Sequence, residues 1–162
     1  MTELVALVAA VLAAVVVHEL AHVLAARAVG HDVFEIQIGT GPCAGFRAGA
    51  VDLAIGLVPF GGHVQTGARD PAGFRWRSAV VAGSGVVGNL GLAVGAALAG
   101  ASQLTSLNLL VAVANLWPGG RRRMGEGSSD GRRLLDLARG DTDALAEERS
   151  GWLSVHAMRA RE

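Results

Sequence analysis

The sequence predicts a mainly α-helical integral membrane protein, with a small β-hairpin region between its first two helices and a short helical tail. Three observations carry that reading. The chain is 51% hydrophobic and only 17% charged, and its apolar residues gather in runs at 4–29, 78–101 and 104–117. Between the first two runs the pattern changes to alternation. After Pro118 it turns polar and rich in arginine. With 162 residues there is room for one domain, divided here into a membrane core, 1–120, and a loop with a helical tail, 121–162.

The first run, from Leu4, is apolar without interruption to Val17, and after one polar cluster it resumes through Val29. At about 1.5 Å per residue it spans a hydrocarbon core of roughly 30 Å, and Gly30 offers a helix stop. The "MTEL" start carries Glu3 and no basic residue, unlike a cleavable secretory signal, so the run is expected to be retained. The segment 32–66 reads as strands. Phe34, Ile36 and Ile38 oppose Glu35 and Gln37, then Val51, Leu53, Ile55 and Leu57 alternate with Asp52 and small residues.

The second run is rich in Gly and Ala, which lets helices approach closely. The third is short enough, on length alone, to be a buried helix of a soluble protein. The few residues between them predict an antiparallel helical hairpin. Beyond the arginine-rich stretch at 119–127, Ser128 or Ser129 could cap a helix through "DGRRLLDLAR", and a last amphipathic stretch covers about 142–160.

Arginine placement predicts a topology. The chain has no lysine, five arginines lie from the end of the first run (Arg27) to the start of the second, and nine follow the third. With three spans, the positive-inside rule puts both basic regions in the cytoplasm and the N-terminus outside the cell membrane. The formal net charge of zero gives no field that would attract nucleic acid. A lone Cys43 excludes an intramolecular disulfide and a cysteine-rich zinc site.

The polar cluster in the first run is "HELAH", an H-E-x-x-H pattern. On a helix, His18 and His22 stand one turn apart and can share a zinc ion, one per chain, while Glu19 lies about 100° round, free to act as a base on water. Zinc acidifies bound water towards neutrality, and ligation offsets the cost of burying the histidines in a span. A catalytic zinc usually takes three protein ligands, and no further H-x-x-G-x-x-H extension follows. His31 and His63 are better explained as surface or interface residues.

With these residues the chain resembles the site-2 protease family of intramembrane zinc metalloproteases, peptidase family M50, in a minimal form without a PDZ domain. "HELAH" sits in the first span. Pro59, Gly61, Gly62 and Val64 match its P-x-G-G-x-V hairpin ending, Gly85 to Asn89 its G-x-x-x-N element, and "NLWPGGRRRMGEGSSDG" its Asn-x-x-Pro and Asp-Gly elements. The resemblance implies Asp130 as third metal ligand, Glu19 as catalytic base, and Asn89 and Asn115 near the centre, where they could hold substrate backbone. The stretch from Pro118 to Asp130 is longer than the family usually has, which keeps Asp136 as an alternative ligand and Glu126 as a third. The implied substrate is a single-span membrane protein cut in or near its transmembrane segment. Two other classes compete: a catalytically silent zinc-binding membrane scaffold or adaptor, and a metal transporter. The scarcity of polar residues in the later spans disfavours the transporter.

Overall fold

The computed structural model describes residues 2–69, 72–119 and 129–140, together with Leu153. In chain order the elements are α1 (Thr2–Ala28), β1 (His31–Ala48), β2 (Val51–Ala68), α2 (Phe74–Leu98), α3 (Ser102–Leu116) and α4 (Asp130–Arg139). The predicted loop at 120–128, with Glu126, and the predicted helix at 142–160, apart from Leu153, lie outside the described residues.

α1 runs unbroken through the polar cluster and ends just before Gly30, whose φ of 77° only glycine adopts without strain. α1 and α2 are antiparallel: His22 meets Val81 and Ala14 meets Asn89. A Cβ at Gly88 would come within 2.8 Å of the Ala21 Cβ, so this glycine sets how closely the two helices pack. α2 and α3 form the expected hairpin, joined through Gly100 in a left-handed conformation and tied by Asn89 and Asn108.

Polarity is distributed inside out. His18, Glu19, His22, Ser78, Asn89 and Asn108 are buried beside small residues such as Ala14, Ala82 and Ala96, whereas Leu4, Leu24, Val87, Val94 and Leu98 are well exposed. Water would penalise that surface heavily, and lipid would not. Two helices, Glu3–Ala28 and Phe74–Leu98, are long and apolar enough to cross a membrane. α3 occupies the predicted third position, but its 15 residues reach only about 22 Å, short of a full hydrocarbon core.

The sheet is more folded than two alternating strands suggest. Glu35 to Ile38 are paired on both sides: with Gly62 to Gln65 in antiparallel fashion, and with Asp52 to Ile55 with numbers rising together. β1 and β2 therefore each bend, at Gly39 and Gly41 and near Gly61, all at positive φ. Among the described residues, the segments 44–48 and 62–68 each have a pairing partner on one side only. The apolar residues Val23, Ala26, Val33 and Val81 cement the sheet to the C-terminal end of α1 and the N-terminal end of α2.

Candidate metal centre

His18 and His22 are one helical turn apart on the α1 face that meets α2. Their ring orientation is fixed from behind. Asn89 donates its amino group to the Ala14 carbonyl (3.0 Å) and to Asn108 Oδ1 (2.9 Å), so its oxygen must accept, and His18 Nδ1 donates to it at 2.6 Å. His22 Nδ1 donates to the Val81 carbonyl at 2.7 Å, with Ser84 Oγ alongside at 3.2 Å. In both neutral rings the Nε2 lone pair is then left facing forward.

Those two lone pairs face each other at 3.2 Å, and the Asp130 carboxylate closes the triangle at 3.1 Å from His18 Nε2 and 3.4 Å from His22 Nε2. Without a cation, this arrangement sets three acceptors against one another. A tetrahedral zinc ion bound at roughly 2.0–2.1 Å places its donors about 3.3 Å apart, which is the edge length found. Two imidazoles and a carboxylate are also a donor set that zinc favours, and the backing from Asn89 and Val81 is the second-layer support such histidines usually receive.

Glycine opens the space for an ion. A Cβ at Gly85 would lie 2.5 Å from both His18 Nε2 and His22 Nε2, so the second-span glycine leaves the volume between the rings empty of side chain. Gly62 does the same for Glu19. A Cβ there would lie 2.7 Å from Glu19 Oε1, so the buried carboxylate packs directly against the backbone of β2.

The third donor, an acid, comes from far along the chain, and the length of the intervening loop does not matter because its ends meet. Ser129 Oγ donates to the Trp117 carbonyl at 2.8 Å and accepts from Arg132 N–H at 3.3 Å, capping α4 as expected. Gly131 is buried against the Leu116 carbonyl, with no room for a Cβ. The last turn of α3 thus delivers Asp130 to the histidines. Asp136 faces elsewhere and accepts from Arg132 Nε at 2.9 Å. Among the described residues the only three-membered group of potential ligands is His18, His22 and Asp130.

The two asparagines, both expected near the centre, have different surroundings. Asn89 is fully buried, with its oxygen and amino group engaged inside the protein, so it supports the His18 ring. Asn115 is half-buried and donates back to the Val111 carbonyl at 3.0 Å. Asn108, which the sequence reading passed over, extends the chain of hydrogen bonds from His18 through Asn89 to the Leu104 carbonyl. An asparagine in an apolar helix was its one visible signal. His31 is also buried, stacked on Phe74, and burial together with Arg133 and Arg77 lowers its pKa, so it packs as a neutral ring.

Comparisons with known proteins bear on the chain's family. The model of a family described as Peptidase family M50 matches residues 6–115. Over 52 residues, 32% of this chain and 8% of the relative, the chain is 46% identical to a protein of Chlamydia trachomatis serovar D provisionally named a zinc metalloprotease. Over the same length and shares it is 44% identical to a Chlamydia pneumoniae protein with the same kind of name. The match therefore spans under a tenth of these curated relatives.

Proposed function

We propose, from the premise that this chain belongs to peptidase family M50, that it is a zinc-dependent intramembrane endopeptidase acting on single-span membrane proteins. The observation that carries the proposal is the triangle of forward-facing donors on His18, His22 and Asp130, with edges of tetrahedral-zinc length. A zinc ion held there supplies Lewis acidity and makes water a usable nucleophile near neutral pH.

The remaining steps belong to the protein. Asn89 and the Val81 carbonyl hold the rings in the ligating tautomer. Glu19, beside the ligands and shielded from solvent, takes a proton from the attacking water and passes it to the leaving amine. A helical substrate must first be unwound, because its own hydrogen bonds shield the scissile carbonyl. The one-sided segment 62–68 passes Glu19 at Gly62 and offers an extended substrate a strand to pair with. On this reading Asn115, next to the Leu116 carbonyl that meets Gly131, holds further substrate backbone through its amide oxygen.

Metal analysis tests the site. Purified full-length protein is expected to hold one zinc per chain, lost in His18→Ala and His22→Ala. Asp130→Ala should weaken binding by at least about tenfold, and Asp136→Ala should leave it close to wild type. Loss with Asp136→Ala and retention with Asp130→Ala would reverse the ligand assignment.

The proposed setting is the cell membrane, multi-pass, with the N-terminus outside and the C-terminus in the cytoplasm, α3 completing a third crossing with help from a locally thinned bilayer. Reporter fusions at residue 102 should then read outside, and those near residue 69 and at the C-terminus should read cytoplasmic. The same side for 69 and 102 would eliminate the three-span arrangement.

A further inference from the structure

We infer that Arg75, at the start of α2, is the residue that holds Asp130 in ligating position, acting through the opposite end of α4. The inference rests on the metal-site reading above. α4 has ten residues, too few to be stable alone in water, so its orientation is decided by what grips it. The N-terminal grip is the contact of Ser129 and Gly131 with the end of α3. Near the other end Leu137 is buried, and there the structure supplies a second grip.

Arg75 donates Nε to the Leu137 carbonyl at 3.2 Å, and Nη2 to the Leu137 and Ala138 carbonyls at 2.6 and 3.3 Å. These are carbonyls of the last turn, at the negative end of the helix, and the Leu137 carbonyl also accepts from the capping Gly140 N–H at 3.3 Å. Guanidinium suits them because its donors form a rigid planar fork. The chain then leaves through Gly140 at φ 70°, directly against the guanidinium. α2 therefore holds α4 at its tail and, through Asn89 and the Val81 carbonyl, also orients both histidines. One helix thereby references all three ligands to the same frame.

The consequence is angular. With the tail released, α4 can swing about its Ser129–Gly131 end, which turns the carboxylate at Asp130. Ligand geometry tolerates only about 10–20° of such error. Arg75 is mostly exposed apart from these bonds, so its replacement leaves the apolar packing in place.

The test uses full-length protein in detergent, with zinc affinity read by chelator competition and α4 docking read by amide hydrogen exchange. Arg75→Gln is expected to weaken zinc binding about tenfold, the low end of what second-layer residues contribute, and to speed exchange in α4 but not in α1 or α2. Arg75→Lys should recover part of the affinity, since an ammonium can reach one carbonyl but cannot fork. In an Asp130→Ala background, Arg75→Gln should cost nothing further. An additive loss in that background, or wild-type affinity in Arg75→Gln, overturns the inference while leaving the metal site standing. If wild-type protein takes no zinc, the metal reading falls by itself, and unchanged α4 exchange in Arg75→Gln then overturns the clamp as well.

Discussion

Glu19→Gln should leave the fold and zinc content unchanged and lower peptide cleavage by about 10²–10⁴-fold, the contribution a positioned general base typically makes. Glutamine has nearly the shape of glutamate, so it can keep the packing against Gly62 that fixes the side chain. It cannot accept the water proton. The assay needs full-length protein in detergent or liposomes and a single-span substrate whose helix is weakened by Gly or Pro, because an unbroken helix resists unwinding. Chelation should stop the wild-type reaction, and added zinc should restore it. Cutting by Glu19→Gln at the wild-type rate would remove the assigned mechanism. Failure of wild type on a broad substrate panel would favour the silent scaffold instead.

The second large effect is expected at a residue with no functional group. Gly85→Ala should abolish zinc binding, by about 100-fold or more in affinity, while helix content is kept or improved. Alanine is favoured over glycine in a helix interior by about 1 kcal/mol, so the backbone gains. The methyl, however, would sit 2.5 Å from His18 Nε2, His18 Cε1 and His22 Nε2. Relieving that overlap means turning the rings away from Asn89 and the Val81 carbonyl, or filling the space the ion needs. Gly83→Ala is the matched control on the same helix, since its Cβ meets nothing within 4 Å. Zinc content and circular dichroism on the two variants decide the matter: equal zinc in both would mean the ion binds somewhere other than between these rings.

How much of this was legible beforehand depended on the range of the interaction. His18, Glu19 and His22 could be placed from helical spacing alone, because four residues of α-helix fix their relation whatever surrounds them. Gly30 and Ser129 were equally local, one a helix stop and the other a cap. The strand region was recognisable from alternation, but alternation reports faces and not partners, so the two-sided pairing of Glu35 to Ile38 was invisible. Asp130 and Asp136 could not be separated by counting along the loop. A loop whose ends are joined by Ser129 and the Trp117 carbonyl can have almost any length. Asn89 was expected near the centre from its element alone, and only its full set of partners ties it to the His18 ring. Arg75 gave no signal, since an arginine seeking backbone carbonyls leaves no mark in the sequence of either partner.

The donors are drawn from opposite ends of the described chain, two from α1 and one from the start of α4. During synthesis the histidines leave the ribosome first, and the aspartate follows only after α2 and α3 have been made. A half-built chain thus has the pair without the carboxylate, and without the α2 helix that orients the pair. On the proposed chemistry, hydrolytic competence arises last, once the helices have been inserted and assembled. On that reading, membrane segments being inserted beside a nascent copy meet an inert pair of histidines, and the order of translation acts as a safety catch.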